Sequence, residues 1–203
     1  MIEWGAVNPL PFLSLKKESM MATTFVEIAN RAITFLGGTT ITALTDDTKE
    51  GRACLRLFEQ SRDQLLRDHP WNFSLKRVSI AANTTAPIYE YTNAFDWPAD
   101  CLRIIEVDTT EEWAVEGRQI VSDAAAPLQI VYVHQVTDAN LFDAKFIEAY
   151  SLRLAADIAY DITASQTVAA TAEQKYGAMI QEARLIDAQE SLSASETTWL
   201  DSR

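Results

Sequence analysis

Apolar residues recur at helical spacing over four stretches of this chain and at roughly alternate positions over the stretch between the second and third. The first stretch predicts a helix over 25–36, because Phe25, Ile28, Ala29, Ala32, Phe35 and Leu36 share one face. Thr24 and Glu27 make a capping-box pair, and Gly37-Gly38 supplies the left-handed conformation that ends many helices. Asp46-Asp47 predicts the start of a second helix, capped by Asp47 with Glu50 and running to about Asp68. Its apolar stripe is Cys54, Phe58, Ser61 and Leu65, widened by Leu55, Leu57 and Leu66. Arg52, Arg56, Glu59, Arg62, Asp63 and Arg67 take the other face. A third helix is predicted over 144–163 and a fourth over 166–191. The third is apolar on two sides, with Ile147, Tyr150, Leu154 and Ile158 on one and Phe146, Ala149, Ala156 and Tyr160 on the other. Such a helix is central to a fold or lies at a subunit contact, so Phe146, Tyr150 and Tyr160 are candidate interface residues.

From Trp71 to Val136 the pattern changes to strands, expected over 73–82, 88–91, 101–107, 113–115, 119–121 and 128–133. Glu116-Gly117-Arg118 reads as a tight hairpin turn, and Phe95 to Asp100 as a turn. No helical stretch intervenes, which indicates an antiparallel sheet rather than a βαβ unit. Proline lacks a backbone donor and disfavours helix before it, so Pro70 ends the second helix. Pro70, Trp71 and Phe73 then read as a hinge, with the two aromatics on one face of the first strand. The expected fold class is α+β and mainly helical: a four-helix bundle with an antiparallel β-sheet insertion between helices 2 and 3. The expected division is a flexible leader over 1–20, a helical bundle domain over 21–70 plus 140–192, a β insertion over 71–139 and a C-terminal tail over 193–203.

Charge narrows the function. The 203 residues carry a formal net charge of -12, the wrong sign for a protein that grips phosphates. The arginines of helix 2 alternate with acids and read as intrahelical ion pairs. Cys54 and Cys101 are too few for a disulfide framework and lack metal-ligand spacing, so they read as core thiols in a reducing setting. His69 and His134 are the only histidines, and neither has a ligand-spaced partner, so no metal site is expected. Asp46-Asp47 and Glu111-Glu112 read as caps and solvated faces rather than a catalytic pair. No Gly-x-Ser-x-Gly elbow and no phosphate loop occurs, so neither a catalytic residue nor a cofactor is expected. No run approaches the ~20 apolar residues of a membrane span. The leader is a poor signal peptide, since Lys16-Lys17 follow its apolar stretch rather than precede it. Met20-Met21 suggests an alternative start or an added leader. Trp199 and Leu200 make an apolar pair in an otherwise polar tail, which calls for something to cover it.

Four segments in order carry a likeness to a known family. They are Ala29 to Gly37 with Asp46-Asp47, Arg62 to Phe73 through Pro70-Trp71-Asn72, Tyr91 to Arg103 with Pro98-Ala99-Asp100, and Phe146 to Ala159. Together they resemble the head-to-tail adaptors (connectors) of tailed bacteriophages, of the tail tubular protein A type. The resemblance implies a structural protein of the virion neck, assembled in the host cytoplasm. It implies a ring, commonly of twelve subunits, docked beneath a portal protein and extending the DNA channel toward a tail (nozzle) protein. DNA would pass without specific binding, since acidic walls repel phosphates. On that reading Trp199 and Leu200 are candidate portal anchors. A cell-wall glycan hydrolase is the alternative expectation, because related tail accessory proteins are credited with that activity.

Overall fold

The structure, a computed structural model, describes residues 24–192. The expected leader and the tail bearing Trp199 and Leu200 lie outside the described residues. Helices α1 (Phe25–Phe35) and α2 (Lys49–Asp68) precede six strands, and α3 (Ala144–Thr163) and α4 (Gln166–Leu192) follow them. The strands are β1 (Leu75–Ile80), β2 (Asn93–Asp96), β3 (Cys101–Asp108), β4 (Trp113–Glu116), β5 (Gln119–Ser122) and β6 (Leu128–His134).

The helices do not form a four-helix bundle. At 11 residues α1 spans only about 16 Å, too short to flank the 20 residues of α3 along its length. Instead α3 is a central rod against which α1, α2 and α4 each pack, while α1 and α2 touch one another only slightly. The β residues form two three-stranded antiparallel sheets, ordered β1-β6-β3 and β2-β5-β4, not one. Phe95 and Ile120 of the second sheet share a core with Leu128, Ile130 and Tyr132 of the first. The helical core reaches across into the strand region, taking Trp71, Val133 and Val136 with it. Strand β6 joins the two cores, since Ile130 and Tyr132 point one way and Val133 the other.

Local chemistry explains the helix ends. The capping box of Thr24 and Glu27 forms, with Thr24 N donating to Glu27 Oε2 at 2.9 Å and Glu27 N to Thr24 Oγ1 at 3.2 Å. In α2 the cap is Thr48, whose Oγ1 accepts from Gly51 N at 3.0 Å, rather than Asp47. Asp46 closes the preceding loop, accepting from Thr42 N at 2.7 Å and Ala43 N at 3.1 Å, while Asp47 pairs with Arg52. Those backbone donors hold the Asp46 carboxyl below its ordinary range. Between α3 and α4 the chain turns through Ala164, in the left-handed region at φ 52°. The expected strand at 88–91 does not form, because Glu90 sits at φ 74° and Tyr91 N donates to Tyr89 O at 2.9 Å. That is a γ-turn, which no strand can pass through.

Gly51 gives a test of the packing at the start of α2. A Cβ there would lie 2.3 Å from the Asp46 carbonyl oxygen, whereas one at Gly177 in α4 would meet nothing within 4 Å. In urea titrations Gly51→Ala is expected to destabilise by about 1–3 kcal/mol, because main chain must shift. Gly177→Ala is expected to stabilise by up to about 1 kcal/mol, the usual gain from removing a mid-helix glycine.

Candidate functional site

The junction read as a hinge is packed solid. Residues Asn72–Ser74 form a single 3-10 turn, so Trp71 and Phe73 are not on a strand and β1 begins only at Leu75. Both rings enter the helical core. Trp71 meets Phe146 edge-on at 5.3 Å and His69 at 4.9 Å, and Phe73 meets Phe146 at 5.0 Å and Phe142 at 5.9 Å. Ser74 Oγ donates back to Trp71 O at 2.7 Å. Pro70 does end α2, and the joint after it packs its aromatic rings against the helical core.

Of the three candidate interface residues, the structure encloses two. Phe146 and Tyr150 are fully buried inside the chain, and Tyr150 donates from its hydroxyl to Phe58 O at 2.7 Å. Both are enclosed by the same chain, Phe146 by Trp71, Phe73 and Phe142 and Tyr150 by Phe58 of α2 and Phe142. Tyr160 is 60% exposed, as is Leu55 on α2 at 55%. These two flank the Arg56–Asp161 ion pair that ties α2 to α3. Leu55 was expected to widen the apolar stripe of α2. Arg62, expected on its solvated face, is instead buried and paired through Nε with Asp63 at 2.9 Å.

A polar seam between α2, α3 and α4 has no counterpart in the sequence reading. Asp157 accepts from Ser61 Oγ at 2.6 Å and from Arg153 Nε at 3.1 Å. Arg153 also donates to Gln64 Oε1 at 2.5 Å and lies over the Tyr176 ring at 5.4 Å. Tyr176 in turn donates to Asp68 at 2.7 Å. Burial, then the Asp68 hydrogen bond, pushes the Tyr176 hydroxyl above its usual range. The Arg153–Asp157 spacing of four is the signal that could have flagged this seam.

Two grooves lie on the sheets. One, of about 540 Å³, runs over the outer face of the first sheet, where Arg77, Val131 and Glu106 form one row and Ser79, Gln129 and Asp108 the next. The other, of about 570 Å³, lies under the 83–89 loop and ends at Asp96. Asp96 accepts from Asn83 at 3.0 Å and Gln119 at 2.8 Å, which holds its carboxyl low. Beside the first sheet, Asp100 accepts from Tyr132 at 3.0 Å and Lys76 at 2.7 Å. Burial pushes the Tyr132 hydroxyl up to about 12, aided by the hydrogen bond to Asp100. His69 packs on Trp71, and His134 Nδ1 donates to Ser74 O at 2.7 Å, so both act in the framework. Burial pushes each thiol, Cys54 and Cys101, up to about 11. Among the described residues no group of three or more His, Cys, Asp or Glu is placed to hold a metal, and no helix is long and apolar enough to cross a membrane.

The remaining feature is exposed apolar surface. Ile88, Tyr89, Trp113 and Val115 stand out on the β region, and Leu55, Tyr160 and Leu185 on the helices. Around the first group the charge is negative. Tyr91 is raised by desolvation and then by Glu90, Glu112, Asp123 and Glu116. These exposed apolar side chains fall in two parts of the chain, the β region and the helices. No protein-family description matches the chain, and no curated protein is similar to it.

Proposed function

We propose that this protein is a structural adaptor of a bacteriophage neck. Copies stand side by side as a ring, commonly of twelve, between portal and tail protein, and extend the path along which DNA leaves the head. The observation that carries the reading is the pair of exposed apolar regions, one on the helices and one on the 83–89 loop. A ring subunit needs a lateral contact of the heterologous kind, and an axial contact to the next ring. Leu55 and Tyr160 supply the lateral one, and Ile88 and Tyr89 the axial one. The net charge of -12 lets duplex DNA slide past without adhering. The order of the four sequence segments that resemble the tail tubular protein A adaptors supports the same role.

The test is electron microscopy of the purified chain alone and with a portal ring. Rings of the chain, stacked on the portal and open at the centre to duplex width, are expected. Leu55→Asp with Tyr160→Asp should abolish ring closure and leave the circular dichroism spectrum unchanged. A chain that stays monomeric beside portal, or a pore lined with cations, overturns the reading.

A further inference from the structure

The second sheet has two edges, and the chain treats them differently. On the β2 side, Asn83 N donates to Ala94 O at 2.7 Å, so the 83–89 loop occupies that edge. On the β4 side nothing corresponds. Glu116 and Gln119 are the closing pair of a two-residue turn, and Ala114 opposes Val121. Hydrogen-bonded pairs alternate along antiparallel strands, so Ala114 and Glu116 spend their backbone groups on β5. The N–H and C=O groups of Trp113 and Val115 therefore point outward, and among the described residues no hydrogen bond meets them.

The side chains at that edge are sorted by face. Trp113 and Val115 project to one side and are 41% and 45% exposed. Glu116, with Glu112 just before the strand, projects to the other side, since alternate residues of an extended chain face opposite ways. Glu90 and Asp123 add to the acidic side around Tyr91. Natural edges are usually blunted by lysine, proline or a covering loop. This one presents an apolar row, an acidic row and open backbone groups together.

We propose that β4 takes an additional strand from another protein, a basic segment in which lysine or arginine alternates with apolar residues. Its backbone would pair with Trp113 and Val115. Its apolar residues would lie beside those two side chains, and its basic residues opposite Glu112 and Glu116. The inference does not rest on the neck reading, because it needs only one subunit and one strand.

The probe is a fluorescent hexapeptide of alternating lysine and valine, titrated into the full chain. Binding should saturate, weaken with salt, and slow amide exchange at Trp113 and Val115 at least tenfold. Glu112→Lys with Glu116→Lys, a pair of surface changes, should weaken it at least tenfold. Val115→Pro removes an outward N–H and should abolish binding in a chain whose circular dichroism is unchanged. Equal binding of an alternating glutamate–valine peptide, protection at other amides, or no binding at all overturns the proposal. So does self-association of the chain that Val115→Pro abolishes, since a second copy would then own the edge.

Discussion

Phe146→Ala is expected to lower the free energy of unfolding by about 3–5 kcal/mol, a large part of what a domain of this size commands. Phe146 is wholly buried at the centre of an aromatic cluster. Its ring lies 5.3 Å from Trp71, 5.0 Å from Phe73, 4.6 Å from Phe142 and 5.8 Å from Tyr150. Removing it empties a space that four rigid rings cannot close, so the transfer loss and the cavity loss add. Phe146→Leu should cost about half as much, because most of the volume stays. Both values come from denaturant titration of the monomer. The measurement also decides between two roles for this residue. Were Phe146 a subunit contact, alanine there would leave monomer stability within about 0.5 kcal/mol of the original and change only assembly.

That contrast shows where the sequence was legible and where it was not. The bounds of α3 could be read from periodicity, and α1 and the β4–β5 hairpin to within a residue, because caps and turn glycines mark them locally. What covers each face cannot be read from periodicity. The two apolar sides of α3 suggested a neighbouring subunit, yet α1, α2 and α4 of the same chain supply the cover. The bundle expectation failed for the same reason, since helical spacing does not say that α1 and α2 barely touch while α3 packs against all three other helices. Strand β2 went unseen because its last two residues, Phe95 and Asp96, read as part of the turn around Pro98. Leu55 and Arg62 exchanged their expected places. Arg62 lies four residues after Phe58 and four before Leu66, on the buried face, and the neighbouring Asp63 carboxylate meets its charge. The acidic edge at β4 was legible as composition, in Glu111-Glu112-Trp113 and Glu116, but not as an edge, because strand order is a property of the whole sheet.

The polar seam should yield the second large effect. Asp157→Ala is expected to destabilise by about 2–4 kcal/mol, because it strands two partners at once. Ser61 is fully buried and would lose its acceptor. Arg153, about a quarter exposed, would keep its charge with only Gln64 and the Tyr176 ring to meet it. The same residue couples α3 to α4, so amide exchange along the buried turns of α4 around Tyr176 should quicken more than in α1. A double change, Asp157→Leu with Arg153→Met, fills the space and removes both charges. It should recover about half of the loss, since it removes the unpaired charge but still leaves the buried Ser61 hydroxyl without its acceptor. The cycle of single and double variants isolates a coupling of about 1–3 kcal/mol between the two positions. A coupling below about 0.5 kcal/mol would make the pair an ordinary surface contact. The α2–α3–α4 register would then be held by apolar packing alone.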